Sequence, residues 1–329
     1  MRSDPTNTAQ SDLPKPPNGS TRFAPEGAES ARPEGCHVDL TATTGTSVIG
    51  IQKTSYSQMS SELASQSTPS ALTVTLGGHV IRVSPHRDDR IAFWRKAEAG
   101  GWEKSTLRFV RDTTDKDTTF IDIGSWIGPI SLVAGALAKR VISLEPDPVT
   151  ASELEANIAL NNAPVEVWRA GIDTVAGSLK LFRKPGIGHP MASSLGDPIG
   201  KAIVVAAVTF DDISAAIADR TKKVVVKMDV EGHEFKVGEE LVAFLREHRA
   251  PINLSLHPAI LYRATRRKIG VLGARLQTFV TTKELIDRLA SYGRVRQSKT
   301  GRPVTLAVLA SFVFLRRRPK NFVVDVFPR

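Results

Sequence analysis

Cysteine is all but missing from this 329-residue chain, where Cys36 stands alone. One thiol makes neither an internal disulfide nor a thiolate zinc site, so nothing marks an oxidising compartment, and Cys36 reads as an incidental thiol. Long apolar runs are scarce as well. The longest, Val304 to Leu315 (VTLAVLASFVFL), falls well short of the roughly 18 residues that cross a bilayer. It reads as a buried strand, or two strand pieces, stopped by Arg316-Arg317-Arg318. No apolar stretch follows Arg2, so no secretory signal is expected. These absences point to a cytoplasmic protein without a membrane span. Aromatic residues make up only 6% of the chain, and they do not interleave with its basic runs as a single-strand stacking platform requires.

Positive charge is plentiful. The formal net charge is +10, with clusters at Arg263 to Lys268 and Arg316 to Lys320. Such an excess attracts nucleic acid, anionic membrane or acidic substrates and says nothing about fold. A solvated basic face is the default reading, and nucleic acid a possible but disfavoured partner.

Three stretches differ in composition. Residues 1–70 are rich in Ser, Thr, Pro, Gly and Ala and cannot bury enough apolar surface to offset ordering, so they read as a disordered, low-complexity extension. Residues 71–118 read as a lead-in: LTVTL and HVIRV flank Gly77-Gly78 as a hairpin, and helical pieces follow between Ile91 and Val110. Over 119–329 strands and helices alternate: FIDI, a helix from Pro129, RVISLEP, a helix from Val149, VEVWRAG, then Val204 to Val208, a helix from Asp211, and VVVKMDV. Continuous Val/Ile runs separated by helices mean a doubly wound α/β domain on a mostly parallel sheet. Thr281-Thr282-Lys283-Glu284 has the form of a capping box opening a helix, and Arg294 to Gln297 with Val304 to Leu315 read as a closing antiparallel strand pair.

The stretch TFIDIGSWIGPISL carries the first functional signal. A strand ends in Asp122, and Gly124 and Gly128 bracket Ser125 and Trp126 before a helix. A dinucleotide fingerprint would need a middle glycine for close pyrophosphate approach, and Trp126 occupies the loop instead. The turn suits a ligand without phosphate there. Asp122 could hold an ammonium group and the turn's N–H groups a carboxylate, the two ends of an amino acid such as the methionine part of S-adenosyl-L-methionine. Glu145, closing the second strand, is placed to accept ribose hydroxyls. In the third signal, VVVKMDVEGHE, Asp229, Glu231, His233 and Glu234 crowd the end of a strand. Lys227 sits one pleat inside, where it needs an acid partner.

DIGSWIG, SLEPDP, LEANIALNN, TFDDI and VKMDVEGHE together resemble the FkbM family of S-adenosylmethionine-dependent methyltransferases, from about Asp88 to Arg318. Where this chain has Ser125-Trp126, the family usually has alanine and asparagine. The resemblance implies the class I methyltransferase fold, Rossmann-like, and methyl transfer to a hydroxyl of a sugar, glycan or natural product. It implies that Asp122, Gly124, Ser125 and Gly128 touch the methionine part, that Glu145 holds the ribose, and that Ala170 to Asp173 lie near the adenine.

A sugar hydroxyl is a weak nucleophile, so a general base within hydrogen-bond reach should help. The candidates are His257, Asp229, Glu231 and His233. His257 is preferred for its near-neutral pKa, although a histidine before proline is as often plain loop. The acids would also suit magnesium, and no metal ligand is assigned. The loop Pro185 to Leu195, with His189, Ser193 and Ser194, is expected to border the acceptor. Two rival readings remain: a nicotinamide-dependent oxidoreductase, against which the missing glycine argues, and a nucleic-acid methyltransferase, motivated by the charge. A binding module without chemistry is disfavoured by the acid cluster.

Overall fold

The computed structural model describes residues 71–84, 88–183, 192–193, 201–217 and 223–329. The expected low-complexity extension 1–70 and most of the loop Pro185 to Leu195 lie outside them.

Gly77 and Gly78, both at positive φ, turn β1 (Leu72–Leu76) back on β2 (His79–Val83) in register, so alternate residues bury one face. Helices α1 (Asp88–Glu98) and α2 (Lys104–Thr113) follow. The chain then alternates: β3 (Thr118–Ile123), α3 (Pro129–Leu137), β4 (Arg140–Leu144), α4 (Pro148–Asn161) and β5 (Val165–Trp168). Proline stands first in both α3 and α4, where a missing N–H costs nothing. Asp147 caps α4 by accepting from Val149 and Thr150 N–H.

A smaller sheet interrupts the alternation: β6 (Ala170–Ile172), β7 (Gly177–Arg183), β8 (Ala192–Ser193) and β9 (Lys201–Val208), ordered β6-β9-β7-β8. The main sheet resumes with α5 (Phe210–Ile217), β10 (Lys223–Met228), a 3-10 turn (His233–Phe235), α6 (Gly238–His248) and β11 (Ile252–Leu256). The chain ends with α7 (Pro258–Tyr292), β12 (Gly293–Gln297), α8 (Leu306–Val313) and β13 (Phe322–Pro328).

The seven-stranded sheet runs β12-β13-β11-β10-β3-β4-β5. Five strands are parallel, and β13 enters antiparallel to both β11 and β12. This is the expected doubly wound, mostly parallel sheet with an antiparallel closing pair. Because side chains alternate across a strand, Ile121, Ile123, Val224 and Val226 pack on one face while Phe120 and Val225 pack on the other. The order reverses between β3 and β10. Crevices that bind ligands form at the carboxyl ends of strands at such a point.

Two expectations are corrected. The run Val304 to Leu315 is mostly helix α8, not strand: Thr305 accepts from Val308 N–H and starts it, and the partner of β12 is β13. Thr281 to Glu284 opens no helix, because it lies inside α7, where Thr282 Oγ1 donates back to Thr278 O at 2.6 Å. Among the described residues no helix is long and apolar enough to cross a membrane.

Candidate active site

A cavity of about 370 Å³ opens at the carboxyl ends of β3, β4 and β10. Its volume lies within the range of small-molecule sites. One wall is the glycine turn, Gly124 to Trp126. Glu145 and the start of the smaller sheet, Ala170 to Ile172, with Leu179 and Leu181, make the second. The third is charged, built from Lys227 near the end of β10 and from Asp229, Glu231 and His233 after it. Phe93 of α1, with Trp102 and Glu103 from the connection between α1 and α2, completes it.

The glycine turn is tied to the end of β4. Gly124 and Ser125 N–H both donate to Leu144 O, at 2.9 and 3.0 Å, and Gly128 N–H donates to Ser125 O. Trp126 N–H donates to Glu145 Oε2 at 2.9 Å. The expectation that these N–H groups face a ligand carboxylate is therefore corrected, since they are taken up by Leu144 and Glu145 at the end of β4 and by Ser125. A Cβ on Gly124, at φ 80°, would lie 1.9 Å from Asp229 O, so only glycine allows the β3 and β10 loops to meet there.

Asp122 is fully buried below the cavity, accepting from Ser131 Oγ at 2.6 Å and pairing with Lys227 Nζ at 3.2 Å. Lys227 thereby has the acid partner its position demanded, and it donates to Gly124 O at 2.8 Å. Burial opposes its charge, but Asp122, Asp229 and Glu103 outweigh that and raise its pKa. Gly128 caps α3 and Asp173 lies to one side, pairing with Lys236 at 2.6 Å and His233 at 3.3 Å, and neither lines the cavity. Gly124, Ser125, Glu145 and Ala170 do line it.

Glu145 accepts from Trp126 and Asp147 N–H, which fixes its carboxyl at the strand end. Burial pushes its pKa up to about 7 against the help of those two donors. In the charged wall, His257 is the hub although it is set behind the cavity. Its N–H and Nδ1 lie 2.7 and 3.1 Å from Glu234 Oε1. Its Nε2 lies 3.2 Å from Asp229 Oδ1 and 3.9 Å from Glu231 Oε2. Burial opposes its protonation, but Glu234 and Asp229 overcome this and hold its pKa well above the usual imidazole value. Burial likewise works against the Asp229 charge, yet the His257 hydrogen bond and Lys227 bring its pKa to about 2. His233 is the opposite case, a buried imidazole whose pKa burial lowers despite Asp173.

Glu103 was invisible in the sequence. It precedes α2 at φ 36°, accepts from Thr106 Oγ1 at 2.6 Å, and faces the acid wall from across the cavity. Burial and the Asp229 charge raise its pKa. The faint signal was an aromatic–acid pair, Trp102-Glu103, just after the Gly100-Gly101 turn. Asp229, Glu231 and His257 also have donor atoms within 4.8 Å of one another, so the group can converge on a cation.

Residues 122–240 match the methyltransferase FkbM domain. A hexuronic acid methyltransferase of Haloferax volcanii is 25% identical over 170 residues, 51% of this chain and 67% of the relative. A ribosomal protein L11 methyltransferase of Clostridium perfringens is 31% identical over 142 residues, and this chain spans only 44% of its length. Among solved structures, methyltransferase FkbM from Methylobacillus flagellatus superposes with a TM-score of 0.34 at 16% identity, covering 68% of this chain and 53% of that one. The donor that accompanies the matched domain is S-adenosyl-L-methionine. The walls fit it, with an acid fixed at the end of the second strand and an apolar floor of Ile172 and Leu179 beside it.

Proposed function

We propose that this chain, whose residues 122–240 carry an FkbM methyltransferase domain, moves a methyl group from S-adenosyl-L-methionine to a hydroxyl of a sugar, glycan or natural product. The observation that carries the reading is a single cavity lined on one side by Glu145 and the glycine turn and on the other by Asp229, Glu231 and Glu103. Donor and acceptor would meet between them. The hexuronic acid methyltransferase relative supports a sugar acceptor.

The donor supplies an already activated methyl carbon, so the protein's work is alignment and proton handling. Gly124, Ser125, Glu145 and Ala170 hold the donor side. His257, proton-bearing between Glu234 and Asp229, acts as a positioning residue: it keeps Asp229 ionised and aimed into the cavity. A carboxylate held that acidic is a poor base but a good hydrogen-bond acceptor for an incoming hydroxyl. Glu231 and His233 border the acceptor beside it. Glu103, with its raised proton affinity, is the better general base.

Calorimetric titration of S-adenosylmethionine into wild type and Glu145→Ala tests the donor side. Release of S-adenosylhomocysteine on adding uronic-acid glycosides tests the acceptor side. The reading requires binding that Glu145→Ala weakens. A wild type that binds no donor, with or without glycoside, overturns it.

A further inference from the structure

The surface made by α7 and α8 brings exposed apolar side chains and basic runs together. Leaving the active-site edge at Pro258, α7 runs to Gly270, whose φ of 72° and ψ of 178° kink it sharply. Every residue from Arg266 to Leu272 is exposed at this corner. Ile269, Val271 and Leu272 are 49%, 56% and 68% accessible, immediately after Arg266-Arg267-Lys268. Leu276 and Val280, one and two turns beyond Leu272, continue the exposed apolar line.

A second basic run is fixed against the same element. Arg275 Nη2 donates to Arg316 O at 2.9 Å and to Arg317 O at 3.0 Å. Its guanidinium lies 5.5 Å from the Tyr262 ring, and that of Arg266 5.9 Å from the same ring. The exposed Leu315 and Arg316 to Arg318 are thus held beside α7. From Pro258 to Lys283 the sequence has six Lys or Arg and no acid, and the same is true from Lys299 to Val324. Lys283, at the far end of the first segment, pairs with Asp287, while the stretch from Arg263 to Arg275 that forms the corner carries five basic residues and no acid.

We propose that this face seats the protein on an anionic lipid bilayer. Ile269, Val271 and Leu272 enter the boundary between headgroups and acyl chains, and the flanking arginines meet headgroup phosphates. Charge complementarity selects this occupant. A nucleic acid would use the cations but give the exposed leucines nothing to contact. A second copy would bring two acid-free basic faces together. The corner stands about 18 Å along α7 from His257, so docking holds the cavity close to the bilayer. The inference does not depend on methyl transfer.

Flotation of the full chain with vesicles tests it, comparing phosphatidylcholine alone with phosphatidylcholine plus phosphatidylglycerol. The expected result is binding to the anionic vesicles only, weakened by salt. Two variants, Leu272→Glu/Leu276→Glu and Arg266→Glu/Arg267→Glu/Lys268→Glu, should each weaken it about tenfold or more while keeping the wild-type melting temperature. Wild type that does not float with anionic vesicles overturns the proposal. So does an apolar variant that binds as wild type while the basic variant fails, which would mark a bare polyanion patch. A dimer that Leu272→Glu/Leu276→Glu dissociates without changing flotation also overturns it, in favour of self-association.

Discussion

Glu103, His257 and Lys227 are three ionisable side chains within one small volume, and each is set by its neighbours. Replacing Glu103 with Gln keeps the shape and removes the base, so kcat should fall on the order of 10² or more with donor affinity unchanged. A variant with unchanged kcat would remove Glu103 from the mechanism. His257 has its folded pKa raised above 6.5 by Glu234 and Asp229. Its contribution to stability is therefore complete below 6.5 and is lost as pH rises through the folded value. Urea unfolding across that alkaline window should show falling stability in wild type and a flatter profile in His257→Gln. Lys227→Met leaves Asp122 buried and unpaired, and should cost about 3–5 kcal/mol by denaturant unfolding. The need for a partner at Lys227 was legible in the sequence, because a lysine inside an apolar strand has few alternatives. That the partner is Asp122 was not, since β3 and β10 are neighbours only in the folded sheet.

At the scale of elements, the loops after β3 and β10 touch through the missing side chain of Gly124. Gly124→Ala places a methyl against Asp229 O in a left-handed backbone, so it should cost at least about 2 kcal/mol and weaken donor binding in calorimetry more than a remote substitution of equal cost. The parallel strands were readable as Val/Ile runs, and the glycine hairpin by its alternation. Helix α8 was not, because an apolar run of this length has no period to separate helix from strand. The decisive mark was Thr305, a cap in front of the run. The mistaken capping box has the converse cause: Thr282 bonds backward to Thr278 inside a continuing helix, a use that its sequence shares with a true cap. Glu103 lay beyond reach for a third reason, since nothing local ties the residue before α2 to the end of β10.

For the molecule as a whole, the sheet is the shared wall of two cores. Phe120 and Val225 face one, Ile121 and Val226 the other, on the same two strands. Neither core can be lost without exposing the strands that build its counterpart. Phe120→Ala should therefore cost about 3–5 kcal/mol and shift a single unfolding transition of the described domain, seen alike by circular dichroism and fluorescence. A biphasic melt would show that the two faces unfold independently.

Trp126 gives the protein an optical reporter of its own. It sits at φ 52° in the glycine turn and lines the cavity, its ring 4.4 Å from Phe93 and 5.0 Å from the Arg90 guanidinium. Of the four tryptophans, Trp94 and Trp168 are buried in the cores, while Trp102 and Trp126 border the space the donor would fill. Adenosyl ligands should therefore alter the intrinsic emission on binding, and Trp126→Phe should lose much of that change without losing the binding seen by calorimetry. Occupancy of the site can then be followed in real time, with no label and no acceptor in hand.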